Sequence, residues 1–341
     1  MSDMPQPAQK PARVAWQDVA RGIGIALVVL GHVEQGLIGS GLISQPAWHP
    51  FDFGLYTFHM PLFMFLAGLN VPRSLQAGGG RFLRSKVLGI LYPYLLWSVL
   101  QGVAMAALSG LTNHRAGYDA IGRILWDPIP PFWFLYALFL FSVAARFIPA
   151  RNLLALSIVV FPLGEMFYRD SFMHRLLHFP VFFVLGMYFG SRWTVPRIHA
   201  PWIALGVAVA GGTIIAGLHA AMQNYDSVWM LPAALGGTVA MLGIAQRLDS
   251  VTALVRMGRI SLAIYVMHIL AASGTRILLH RLLPTRNPGW LYVVTVTAAG
   301  LGIPAWVYLA AKQMKLLPWL GLQIGPRGRH WVNTGQLPNQ R

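Results

Sequence analysis

Ten apolar stretches follow one another along this chain, at roughly 19–39, 51–71, 87–109, 131–148, 153–168, 176–190, 201–220, 228–246, 260–280 and 290–311. Most approach the roughly 20 residues that a helix needs to cross a bilayer core, and the fifth and sixth are short. Charged residues make up 11% of the chain against 56% hydrophobic, where a soluble domain carries about 25% charged. A water-facing surface cannot be built from so few charges, so lipid is the solvent for most of the chain. The expected fold is all-α: a polytopic membrane protein, a bundle of about ten transmembrane helices over 19–311. Tails at 1–18 and 312–341 flank it.

The charges that remain are unbalanced, with 26 Lys+Arg against 10 Asp+Glu. No basic helix or aromatic-lined basic sheet accompanies them, so nucleic acid is not an expected partner. They sort by side instead. With the N-terminus in the cytoplasm, the alternation of spans leaves only Arg115, Arg123, Arg169, Arg175, Arg276, Arg281 and Arg286 outside. All other basic residues fall inside, as the positive-inside rule requires, and both termini are then cytoplasmic. The first 18 residues are polar and Pro-rich with no small-residue cleavage site after the first apolar run, so the first span is read as uncleaved. The chain has no cysteine, which excludes disulfides, a thiolate nucleophile and thiolate-bound metal. No paired, interrupted segments of the kind found in inverted-repeat transporters are visible.

Ionisable groups inside spans are costly and mark functional positions. In the first span Arg21 and His32 are 11 residues apart, about 16 Å and three turns plus roughly 20° along a helix. They therefore project from one face, with Asp18 one turn before Arg21 on the same stripe. Gly24 and Gly31 would let a neighbouring helix approach. Two readings fit this stripe: a functional one, or Arg21 snorkelling to the surface while His32 binds a backbone carbonyl. The run Gly78-Gly79-Gly80-Arg81-Phe82-Leu83-Arg84-Ser85-Lys86 places three cations in the first turns of a helix, against its dipole. A docked anion makes that favourable; topology signalling or anionic headgroups are the alternative. His59, Glu165 and His268 are further polar groups in spans, and Trp133 sits at an outer interface where Trp commonly anchors. His174 and His178 are i, i+4 but lack a third carboxylate ligand, so no metal is expected.

Together these segments resemble the acyltransferase-3 family of integral membrane proteins, whose members O-acylate bacterial surface sugars. Asp18-x-x-Arg21-Gly22 followed by His32 is similar to the family's Arg-x10-His first helix. Arg81-Phe82-Leu83-Arg84 resembles its Arg-x-x-Arg element, and Phe58-His59-Met60-Pro61-Leu62-Phe63 its second-helix signature, with Ala67 where Ser is common. Pro131-Phe132-Trp133-Phe134-Leu135 and Ile264-Tyr265-Val266-Met267-His268 are supporting matches. The resemblance implies a bacterial inner-membrane O-acetyltransferase that takes an acyl group from cytoplasmic acetyl-CoA or another acyl-CoA. The acceptor it implies is a hydroxyl of a cell-surface or lipid-linked glycan, with polysaccharide-assembly proteins as further partners.

A sugar hydroxyl is a poor nucleophile at neutral pH, so a positioned base must take its proton, and His is the usual choice. In this reading His32 is general base or transient acyl carrier, with Arg21 and Asp18 shaping the cytoplasmic mouth. Arg81, Arg84 and Lys86 meet the CoA phosphates. His59, Trp133, Glu165 and His268 support the site, with Glu165 or His59 orienting His32. A secondary transporter, a glycolipid flippase or a membrane scaffold are the competing classes; the first two would move substrate without covalent change.

Overall fold

A computed structural model describes residues 14–107, 118–192, 195–222, 224–282 and 288–323. Residues 1–13 and 324–341 of the expected tails, and 108–117 of the outer segment, lie outside the described residues. In lipid each backbone N–H and C=O must find its partner within the chain, which a helix achieves locally. Among the described residues there are helices and turns and no strand.

The helices are α1 (Ala15–Gly39), α2 (Gln45–Gly68), α3 (Val71–Leu75), α4 (Gly79–Lys86) and α5 (Tyr92–Ala107). A π-helical turn, Val87–Leu91, joins α4 to α5. Then come α6 (Asp119–Gly122), α7 (Trp133–Phe147), α8 (Ala150–Leu163), α9 (Phe172–His178) and α10 (Pro180–Arg192). The chain continues with α11 (Ala200–His219), α12 (Leu231–Arg247), α13 (Thr252–Arg259), α14 (Ser261–Leu282) and α15 (Gly289–Gln313).

Among the described residues, eight segments are long and apolar enough to cross a membrane: Ala15–Gly39, Gln45–Leu75, Gly79–Ala107, Phe172–Ser191, Ala200–His219, Val228–Arg247, Ser261–Leu282 and Gly289–Gln313. The fourth and fifth apolar stretches form the shorter helices α7 and α8, of 15 and 14 residues. The sixth, expected to be short, is lengthened by α9 to a 20-residue segment. The protein is an all-α, multi-pass membrane protein.

Burial separates inner from outer helices. The α2 segment buries 56% of its apolar window and α1 50%, whereas α11 buries 17% and α15 22%. The segments of α9–α10 and α12 match α2 and α1 at 56% and 50%, so these four segments form the inside of the bundle, and α11 turns most of its side chains outward. One core joins Val29, Met64, Tyr94, Phe132, Phe183, Ile264 and Val296 from seven segments. A second, at the Arg21 end, gathers Val19, Leu62, Leu66, Leu242 and Ala245.

Close helix approach rests on small residues. A methyl group on Gly258 of α13 would run into the Asp18 carbonyl oxygen of α1, and one on Gly22 into that of Leu254. Further along α1, Gly24 is covered by the Phe63 ring and Gly31 by Leu55 and Tyr56, all from α2. Beyond α15 the chain turns back, with Leu322 buried in the main core. Tyr92 donates to the Trp319 carbonyl at 2.6 Å and Trp97 Nε1 to that of Leu320 at 3.0 Å. Part of the expected tail thus packs on α5.

Candidate active site

The stripe on α1 runs Asp18, Arg21, Ile25, Val28, His32 at spacings of three and four, one face of a helix. At its start Asp18 is 1% exposed and holds two guanidinium groups. Arg21 Nη1 lies 3.1 Å from Oδ1 and Arg259 Nε 3.3 Å from Oδ2. The carboxylate thus ties α1 to α13 and sets the direction of Arg21.

From Arg21 a cavity of about 150 Å³ follows the stripe inward past Ile25 and Val28. Met60, Phe63 and Ala67 of α2, Phe134 and Leu138 of α7 and Ser261, Leu262 and Tyr265 of α14 complete its wall. The lining is apolar apart from Arg21 at one end and the hydroxyl groups of Ser261 and Tyr265. Such a passage suits a thin, uncharged arm of a ligand whose anionic part stays near Arg21.

Past Tyr265, one turn along α14, the second end of the stripe opens into a ring cluster. The His32 ring centroid is 5.3 Å from that of His268 and 6.2 Å from that of Tyr56. Tyr56 in turn stands 4.7 Å from His59 and 5.1 Å from Tyr225. Local sequence explains two of these placements. On α2, polar side chains bond back to carbonyls four residues earlier. Thr57 Oγ1 donates to Phe53 O at 2.7 Å and His59 Nδ1 to Leu55 O at 2.8 Å. His268 Nδ1 donates to Tyr265 O at 2.6 Å. In a neutral ring, a donating Nδ1 leaves Nε2 as an acceptor; His268 Nε2 is buried and without a partner.

The outer wall comes from the loop before α7 and from α9. Tyr265 donates its hydroxyl to Pro131 O at 2.6 Å, and Gln101 Nε2 to Pro130 O at 2.9 Å. These bonds pull the 130–132 turn into the bundle. Trp133 is consequently buried at 9% exposure, a packed ring and not a surface anchor. The Arg175 guanidinium lies 4.7 Å above it, a cation–π contact, and pairs with Asp170 at 3.5 Å. Arg169 lies 4.6 Å from the Tyr225 ring. Burial pushes the Tyr225 phenol up, so it stays a neutral hydroxyl.

The family model described as an acyltransferase domain matches residues 14–309, nearly the whole described chain. The chain belongs to the acyltransferase-3 family. It is a multi-pass membrane member of that family. Nodulation protein NolL of Mesorhizobium japonicum is 29% identical over 144 residues, covering 42% of this chain and 38% of the relative. Nodulation protein NolL of Sinorhizobium fredii is 31% identical over 141 residues, 40% of this chain and 37% of the relative. The matched part is thus under two-fifths of the length of these relatives. No solved structure matches.

The residues that resemble the family's motifs do not all meet. His32, His59 and His268 share one cluster, and Arg21 faces the cavity that leads to it. Arg81 and Arg84 are exposed on α4, and Lys86 Nζ sits 5.0 Å over Phe82 of its own helix. Glu165 differs from the expected orienter of His32. It is exposed in the turn after α8, and its Oε1 accepts from the Val228 backbone at 2.7 Å. It lies beside a separate buried pair, His174 Nε2 with Asp226 Oδ2 at 3.1 Å. His174 and His178 stack 5.2 Å apart, and among the described residues no group of three or more metal-ligating side chains assembles.

Several neighbours of the site were not singled out by sequence. Arg259 is Asp18's second partner, and Arg146 of α7 lies so close to Gly79 that any side chain there would strike its guanidinium. Arg146 thereby joins the cations at the start of α4. Tyr56, Tyr225 and Arg175 complete the ring cluster. The basic residues among them had been accounted for by sidedness. Only Tyr56 carried a local signal, standing three residues before His59 on the same helix face.

Proposed function

We propose that the protein is an O-acetyltransferase of the bacterial inner membrane, with both termini cytoplasmic, that moves the acyl group of acetyl-CoA to a glycan hydroxyl. The observation carrying this reading is the Arg21 cavity, whose apolar wall ends at Tyr265 beside the His32 cluster. Acyl-CoA divides in the same way, into an anionic nucleotide and a long uncharged arm ending in the thioester. Arg81, Arg84 and Lys86, with Arg146 beside them, supply the cations for the phosphates, and Arg21 stands at the entrance. The acceptor, a lipid-linked or growing saccharide, approaches the other end, where Tyr225 offers a ring face and hydroxyl and Trp133 supports the wall from behind Arg175.

His32 removes the acceptor's proton as its oxygen attacks the thioester carbon, then returns that proton to the departing thiolate. Alternatively it carries the acyl group itself for part of the path. His268, 5.3 Å away with an unpartnered Nε2, is placed to accept from a His32 N–H and hold that ring in position. It takes the orienting place that Glu165 does not reach. Loss of the base should cost on the order of 10²–10⁴-fold in turnover. The test is His32→Ala in membranes containing the folded protein, read by the acetyl content of the surface glycans. Undiminished transfer would end this assignment.

A further inference from the structure

Acyl transfer puts a negative charge on the thioester's carbonyl oxygen, and a site built for it aims a hydrogen-bond donor at that atom. The donors around His32 are few. His59 and His268 each spend Nδ1–H on a backbone carbonyl, at 2.8 and 2.6 Å. As neutral rings they then turn acceptors toward the cluster. Gln35 lies on His32 itself, its side chain bonded to that ring and its Nε2 donating to Asp52 at 3.3 Å. Tyr265 gives its hydroxyl to Pro131, and Arg175 is engaged by Asp170 and the Trp133 face.

Of the two tyrosine hydroxyls in the cluster, Tyr225 and Tyr56, it is Tyr56 that is sealed from water and unpartnered. Its hydroxyl is buried and has no hydrogen-bond partner, although leaving such a group unsatisfied costs about 1–3 kcal/mol. Its ring stands edge-on to both His32 and His59, at 6.2 and 4.7 Å. The hydroxyl reaches the backbone of α1 beside Gly31, where an added Cβ would lie 3.1 Å from it. The residue before His32 is therefore one that leaves room for this oxygen.

We propose that Tyr56 is a catalytic residue, its O–H donating to the carbonyl oxygen of the acyl group during transfer at His32. The inference rests on the reading of His32 given above. As the acceptor oxygen bonds to the thioester carbon, His32 takes its proton. The C=O electron pair moves to oxygen and is held by the Tyr56 O–H. The pair then returns, the C–S bond breaks, and His32 protonates the thiolate. The same donor serves if His32 is acylated first, since that route passes through an equivalent oxyanion.

The decisive variant is Tyr56→Phe, which removes one oxygen and no hydrogen bond within the protein. Acetyl-CoA is the donor, membranes of the native host with their thiols blocked beforehand supply the acceptor, and released thiol is followed with a thiol reagent, to which this cysteine-free chain adds no background. Turnover should fall on the order of 10²-fold with KM for acetyl-CoA and the unfolding temperature unchanged. Wild-type turnover, or a loss that comes with a lowered unfolding temperature or raised KM, overturns the role. His32→Ala assayed in parallel separates the two ideas. If it retains activity, the His32 reading itself fails; if it is inactive while Tyr56→Phe is not, only Tyr56 is misassigned.

Discussion

Asp18 shows how one side chain can belong to a motif for structural reasons. It is 1% exposed, and its two oxygens are divided between Arg21 and Arg259. A buried carboxylate is stable only with such partners. Its contribution in the fold is to join α1 to α13 and to direct Arg21. Asp18→Asn keeps the shape and removes the charge, leaving two guanidinium groups facing an amide. The expected loss is about 1–2 kcal/mol, moderated because Arg259 is half exposed and screened. It would be read as a lower unfolding midpoint in detergent. Histidine chemistry at the ring cluster is set in a similar way, by the backbone carbonyls of Leu55 and Tyr265 that accept from Nδ1.

Helix pairs in this protein are brought together by missing side chains as much as by present ones. In lipid there is little hydrophobic gain in pressing one apolar helix against another, so close backbone contact carries the packing. The contact of α1 with α13 depends on Gly22 and Gly258, each opposite a carbonyl oxygen of the other helix. Gly258→Ala places a methyl group against immobile backbone, and overpacking of that kind costs about 1–3 kcal/mol. Gly274→Ala in α14 meets nothing within 4 Å and is the matched control, expected to be neutral or slightly stabilising. Thermal unfolding of the two purified variants should therefore diverge. Wild-type-like Gly258→Ala would mean that α13 is free to move away from α1.

Across the whole molecule, two ends with different chemistry are joined by one apolar passage. The Arg21 end collects Arg81, Arg84 and Arg146 near the start of α4. The other end carries acids and bases together, with Asp52, Asp170, Arg169, Arg175 and the His174–Asp226 pair. The proposed orientation puts the first end in the cytoplasm. Because the chain has no cysteine, single substitutions report sidedness directly. Gln76→Cys, at the end holding α3 and α4, should be shielded from a membrane-impermeant maleimide in intact cells. Met166→Cys, 79% exposed in the native residue, should be labelled. The reverse pattern would invert the donor and acceptor ends.

Much of this was legible in the residues because it depends on helical period and on the solvent. Scarcity of charge dictates lipid, lipid dictates helices, and a spacing of 11 puts Arg21 and His32 on one face wherever the helix is placed. Motif resemblance identified the family for the same reason: its elements are short and local. What a local pattern cannot contain is which side chain another helix delivers. Tyr56 and His268 meet His32 only because α2 and α14 pack on α1, through Gly31 in the case of Tyr56. Arg146 and Arg259 look like sidedness signals until Gly79 and Asp18 are seen beneath them. Glu165, attractive as a buried acid in an apolar stretch, sits in a turn because α8 stops at Leu163. The one-dimensional pattern determined the solvent, the helices and the stripe; the cluster around His32 was decided by packing, which alone sets distances between residues far apart in the chain.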